Sequence, residues 1–345
     1  MFDRPKIMKL STLCVLTASL VLCVSFASAQ STDTEQHVLL IGGLGGNAEY
    51  TATFEQYLFE TRRAFIDEFQ VPTSHITVLA GNNDNSEEFI DDRSTADNIR
   101  AEFDRLTNRV QANDRVYIIL FGHGSYDGTE ARLNIPRRDL GGSDYAELLD
   151  PITAERILFV NTASSSGPFI DALSGTDRII ITATRSGRQR NETIFPRFFV
   201  EALSDPAADI DQNNRLSVRE AFQYAVESTN RWFESSGNIP SEHALLDDTG
   251  DGKGVPLDEL PDSDDGAFAA DTYLHPPQTP GLTAGDTAND SLAANQTHTR
   301  ELKKKIAALK RQKETMQEAE YYQQLEELLI RLARSSQPAD SLDQN

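Results

Sequence analysis

Five short, mainly apolar runs punctuate the first two thirds of the chain, at 36–41, 75–79, 115–121, 157–160 and 178–184. Each is too brief for a helix and is closed by glycine or polar residues. Runs of this kind, bounded by turn chemistry, read as buried strands of a parallel sheet. The intervening segments carry helical spacing instead. Phe54, Leu58, Phe65 and Phe69 fall on or near one face, as do Ile99, Phe103 and Leu106, with Ser94 to Asp97 able to cap the second helix. Strand and helix alternate throughout 36–204. The expected fold is therefore α/β, a mostly parallel sheet flanked by helices.

In open α/β sheets ligands bind outside the carboxyl ends of the strands, so the residues closing each run are the ones to read for chemistry. Gly42-Gly43-Leu44-Gly45-Gly46 follows the first run, but no lysine follows it and the dinucleotide spacing fails, which argues against nucleotide binding. The third run ends in Gly122-His123-Gly124-Ser125, where an imidazole stands between two glycines whose amides can approach a substrate closely. After the fourth run come Asn161-Thr162-Ala163-Ser164-Ser165-Ser166-Gly167, and Pro168 then opens a helix. Taken alone, this second block reads equally well as a serine-rich turn with no chemistry.

Together the two blocks resemble the caspase-haemoglobinase fold, and within it the legumain-like peptidases. That family places His-Gly after one strand and, some forty residues later, an acidic-small-Cys-x-Ser-Gly block after the next. His123-Gly124 matches the first block and Thr162 to Gly167 the second. Ile180-Thr182-Ala183-Thr184, with Asn191-Glu192-Thr193 and Phe195 beyond, is similar to the family's following strand and helix. The resemblance spans about residues 36–250. It implies peptide-bond hydrolysis, with His123 as base, Gly124 as oxyanion donor and Ser164 at the nucleophile position.

Two departures bear on that chemistry. Ser164 replaces the cysteine, and Thr162 replaces the acidic residue. A thiol ionises readily, whereas a serine hydroxyl needs a general base held close and oriented by a carboxylate. Asp127 and Asp144 are the candidates for that carboxylate. Three readings follow: a serine-type peptidase using Ser164 and His123; an inactive pseudopeptidase that binds or scaffolds a peptide or protein partner; and a nucleophile elbow in which Ser165 attacks with His243 or a later histidine as base.

Residues 1–29 have the form of an export signal. Arg4, Lys6 and Lys9 precede an apolar stretch over 10–26, and Ala27-Ser28-Ala29 fits a cleavage site. Export to the periplasm or beyond is expected, with no membrane span in the mature chain. Both cysteines, Cys14 and Cys23, lie inside that signal, so the mature chain has no disulfide, thiolate metal site or cysteine nucleophile. Net charge is −22, which argues against nucleic acid as a partner.

Asp209, Asp211, Asn213, Arg215, Ser217 and Glu220 occupy positions one, three, five, seven, nine and twelve of an EF-hand-like calcium loop. Asn214 takes the place of the glycine that supplies the left-handed turn. The bland alternative is that Ser217 to Glu220 caps the helix that follows, and both can hold at once. A second acidic loop, 247–253, reads as a cation site or a turn closing the domain. It is expected near the active edge through His243. The peptidase-like domain is accordingly placed at 30–255. Residues 256–297, rich in Asp, Pro, Gly, Ala and Thr, read as a disordered linker. Helical spacing returns over 298–334: Leu302, Ile306 and Leu309 share a face, Thr315 to Glu318 form a capping box that restarts a helix, and Tyr321, Leu325, Leu328, Leu329 and Leu332 form its apolar stripe. The segment resembles the SHOCT-type helical hairpin, with a single coiled-coil helix as the alternative; either is a candidate for self-association, and 335–345 reads as a disordered tail.

Overall fold

The computed structural model of the chain describes residues 34–82, 88–275, 302, 305, 306, 309 and 316–335. The expected export signal lies outside the described residues, as do 276–300 of the linker region and 336–345 of the tail. Strands β1 (Gln36–Gly42), β2 (Ile76–Ala80), β3 (Asp92–Arg93) and β4 (Arg115–Phe121) are followed by β5 (Gly124–Tyr126), β6 (Ala131–Leu133) and β7 (Leu140–Gly141). The last three make a small antiparallel sheet of their own. The chain then returns through β8 (Arg156–Asn161), β9 (Arg178–Thr182) and β10 (Leu245–Asp247) to a seven-stranded sheet in the order β10-β9-β8-β4-β1-β2-β3. Only the β9–β10 pair in it is antiparallel.

Burial explains the apolar runs. Every residue of β1, β4 and β8 is buried, because helices cover both faces of the sheet. Val38, Leu40, Ile119 and Val160 point to α1 (Ala48–Asp67), α5 (Phe195–Ala202) and α6 (Val218–Ser236). Leu39, Ile41, Ile118 and Phe159 point to α2 (Ala96–Arg109), α3 (Gly142–Leu149) and α4 (Phe169–Leu173). Local signals set the helix ends. Asn47 caps α1, Thr95 caps α2, and Gly237, at φ 69°, closes α6 in the left-handed conformation that glycine adopts freely.

The domain runs twenty residues past the boundary expected at 255. Leu260, Ala269 and Leu274 are buried in the main core, and α7 (Ala267–Ala270) packs on α6. Val255 bridges to Leu246 and Tyr273 to Ser217, while Gln36 Nε2 donates to the Leu274 carbonyl at 2.8 Å. The segment carries its apolar residues in short, irregularly spaced groups, so no amphipathic pattern announces it, yet Leu260, Ala269 and Leu274 find places in the core. Further on, Leu302, Ile306 and Leu309 are helical and buried, and α8 (Glu318–Ser335) buries Tyr321. Thr315, the expected cap between the two helices, lies outside the described residues. Leu329, expected on the apolar stripe of α8, is exposed. Among the described residues no helix is long and apolar enough to cross a membrane.

Candidate functional site

Strand register gathers the sequence blocks at one edge of the sheet. Gly42 pairs with Phe121, Leu120 with Asn161, and Asn161 with Thr182, so the segments leaving β1, β4, β8 and β9 emerge side by side. The approach is tight. A Cβ on Gly124 would stand 2.0 Å from the Ser164 carbonyl oxygen, and one on Gly167 would stand 2.4 Å from the Arg185 carbonyl carbon. Glycine at both positions is a condition of the two loops meeting.

Ser164 and Gly124 are in direct contact. The Gly124 amide donates to Ser164 Oγ at 3.1 Å, and Ser164 Oγ is 3.2 Å from the Gly124 carbonyl, to which it donates. Ser164 is only 4% exposed. Its hydroxyl proton thus points at a peptide carbonyl, and the amide expected to stabilise an oxyanion is engaged by the serine itself. The His123 ring is half-buried and makes no hydrogen bond among the described residues. It packs edge-on against Tyr50 and Phe54 at the start of α1, with ring centroids 4.8 and 5.1 Å away.

Neither candidate carboxylate stands behind that ring. Asp127 is occupied within its own turn, accepting from the Thr129 and Glu130 amides and from Arg132, contacts that hold its carboxyl well below the usual range. Asp144 pairs with Arg100 and accepts from the Gly141 amide. Both expectations of an orienting carboxylate are therefore corrected: each aspartate closes a local turn.

The neighbouring hydroxyls are also structural. Thr162 Oγ1 donates to the Leu120 carbonyl at 2.7 Å, Thr193 Oγ1 to the Thr162 carbonyl at 2.7 Å, and Ser166 Oγ meets Thr184 Oγ1 at 3.1 Å. Ser165 sits at φ 58° with its Oγ buried and unpartnered, so no base faces it. His243 is linked to Ser165 only indirectly. Its Nδ1 accepts from Gln189 Nε2 at 2.6 Å, while the Gln189 carbonyl accepts from the Ser165 amide. Among the described residues no histidine stands as a base to Ser165.

Four further residues organise this edge, and three of them, Gln189, Tyr50 and Glu242, belong to no motif. Gln189 ties the β9 exit to Ser165, and Thr184 receives the Gly167 amide at 3.0 Å. Tyr50 donates to Glu192 at 2.6 Å beside His123. Glu242 accepts from the Ile194 and Phe195 amides at the start of α5, and burial pushes its carboxyl up to about 7. A polar residue in a loop gives no sign in sequence of which distant amide it will meet.

The acidic loop adopts the turn expected of it. Asn214 lies at φ 62°, and carboxylate oxygens of Asp209, Asp211 and Glu220 lie within 4.8 Å of one another. Ser217 and Glu220 also form the reciprocal cap of α6. Glu220 Oε1 accepts from the Ile210 and Asp211 amides, and Asp209 from those of Asn213 and Asn214. The Arg215 side chain, at the position that offers a backbone carbonyl, stacks on Tyr273 at 3.8 Å. Loop 247–253 does not border the carboxyl edge, where it was expected. Because β10 runs antiparallel to β9, the chain has left that edge by Asp247, and the Gly252 amide donates to Ser174 Oγ beyond the far end of α4. It closes the domain: Asp248 accepts from the Gly266 and Ala269 amides.

No family model and no curated protein matches the chain in sequence.

Proposed function

We propose that the domain is a peptide- or protein-binding module on a caspase-haemoglobinase-like scaffold, with its hydrolytic site chemically silent. The bonding of Ser164 Oγ to both the amide and the carbonyl of Gly124 carries this reading. A serine nucleophile needs its proton taken by a positioned base, and here the hydroxyl instead donates a hydrogen bond to a carbonyl oxygen that cannot act as one. Arg185, Arg188 and Arg190 stand exposed on the loop that leaves β9, on a chain of net charge −22. Such a local excess of cations favours an acidic peptide over a basic one.

The second reading, a serine peptidase, rests on the convergence of Ser164 with Gly124 beside His123. Mass spectrometry after fluorophosphonate treatment separates the two. The binding module yields no adduct at Ser164, and Ser164→Ala binds acidic peptides on an array as the wild type does, while Arg185→Glu with Arg190→Glu abolishes binding. A stoichiometric adduct lost in Ser164→Ala would establish the hydrolase instead. We further propose that loop 209–220 takes calcium through Asp209, Asp211, Asn213, Glu220 and the Arg215 carbonyl, with Ser217 completing the loop. On the same reading the chain is exported, and the segment 298–334 is its self-association element.

A further inference from the structure

The opposite edge of the sheet carries a second cluster of reactive side chains. Val38 pairs with Ile76, and one residue earlier on each strand this register sets His37 beside His75. Their rings stack with centroids 5.0 Å apart and planes 1° from parallel. Glu35 Oε2 lies 3.9 Å from His37 Nε2 and 3.9 Å from His75 Nδ1. A nitrogen of each ring and a Glu35 oxygen fall within 4.8 Å of one another. Beside them opens a cavity of about 530 Å³, lined by His37, Ser74, His75, Thr77, Glu102 and Arg109 among others.

We propose that Glu35, His37 and His75 form a site for a divalent transition metal of the zinc class. Two imidazoles and one carboxylate suit zinc, copper or nickel, whereas calcium and magnesium prefer oxygen alone. The Glu35 oxygen, 3.9 Å from a nitrogen of each ring, needs to close on either by only about half an ångström to share an ion at zinc–nitrogen and zinc–oxygen distances near 2 Å, and the two ring nitrogens are brought together by a tilt of one ring. The contacts that the metal displaces are long: His37 Nε2 is 3.3 Å from Asp114 Oδ2, and His75 Nδ1 is 3.2 Å from the Gln36 carbonyl. Asp114 positions the set, since its other oxygen accepts from the Glu35 amide at 3.0 Å.

A metal must lie near the plane of each ring it binds, so the parallel stack opens on binding. His37 is 1% exposed and held by packing. His75 ends a 3-10 turn at the cavity's rim and is the ring able to tilt. The cavity leaves space for water or a small ligand to complete the coordination.

The test is calorimetric titration of the untagged, EDTA-stripped protein with zinc at pH 7.5, with circular dichroism to establish that each variant is folded. The expected result is one equivalent of zinc bound. His75→Ala and Glu35→Gln, both changes at partly exposed positions, each weaken binding by more than about tenfold. Asp209→Asn in the acidic loop leaves zinc binding unchanged, and millimolar calcium does not compete. Absence of stoichiometric zinc binding, wild-type affinity in folded His75→Ala and Glu35→Gln, or displacement of zinc by calcium would each overturn the assignment.

Discussion

The two edges of the central sheet use polar side chains in opposite ways. At the carboxyl edge Thr162, Ser164, Ser166 and Thr193 are nearly all buried, and each hydroxyl is bonded to the backbone or to another hydroxyl. At the amino edge His37, His75 and Glu35 keep only long contacts to their partners and border a cavity. The first edge has the conspicuous motif and the second has none. A run of reactive residue types marks where the backbone turns sharply, because short hydroxylated side chains satisfy turn amides and carbonyls well. Free chemistry is indicated instead by donors that converge on one another while held only by long contacts.

The sharpest way to break this contrast is to force the carboxyl edge apart. Gly124→Ala places a methyl 2.0 Å from a backbone oxygen that cannot rotate away. We expect a loss of about 3 kcal/mol in urea unfolding, at the severe end of overpacking. A variant as stable as the wild type would mean that the two loops part readily, and that Ser164 is free to meet a substrate.

A pH series sharpens the contrast next. Burial raises the Glu242 carboxyl from 4.5 to about 7, so the folded chain binds this proton more tightly than the unfolded chain does. The resulting stabilisation is complete below pH 4.5 and is lost as pH rises through 7. It amounts to roughly 3 kcal/mol between pH 4.5 and 8. Glu242→Gln should remove this slope while still accepting from the amides at the start of α5. Parallel stability–pH curves for the two proteins in urea melts would show that the carboxyl is not buried as described, and would leave a charged group at the start of α5.

How much of this was legible beforehand follows from the range of each signal. The strands were plain because complete burial makes an uninterrupted apolar run, and His123, Gly124 and Ser164 were found because each motif is local. Residues 256–275 have the composition of a linker because their core contacts, Leu260, Phe268 and Leu274, are far apart in sequence and follow no period. Glu242 and Gln189 were missed because their partners lie some twenty-five to fifty residues away in sequence. The pairing of His37 with His75 depends on the β1–β2 register, which neither strand encodes alone. The same limit applies to the candidate carboxylates: Asp127 and Asp144 were near in sequence but committed to turns of their own.

The acidic loop lies between the two edges in character. Its carboxylates converge as a calcium loop requires, yet Asp209 and Glu220 already accept from the loop's own amides. Calcium at a hundred times its dissociation constant should stabilise the protein by about 2.7 kcal/mol, read as a rise in melting temperature. Asp211→Asn, at an exposed position, should remove that rise without altering the calcium-free midpoint. An unchanged melting temperature at millimolar calcium would class this loop with the serine edge, as donors fully used by the backbone.

The smallest effect expected is at the residue that first draws the eye. Ser164→Ala removes a hydroxyl that bridges the two ends of the Gly124 residue and leaves a part-buried amide without its acceptor. That should cost about 1–2 kcal/mol in urea unfolding, the price of one orphaned donor. A catalytic serine behaves differently, since its hydroxyl is held for a substrate and its removal commonly relieves strain. Equal or greater stability in Ser164→Ala would therefore argue that this edge, too, holds its chemistry in reserve, and would favour the peptidase reading over the binding module. A measurable loss, together with silence toward fluorophosphonate, assigns Ser164 to the architecture that lets the loops leaving β4 and β8 meet.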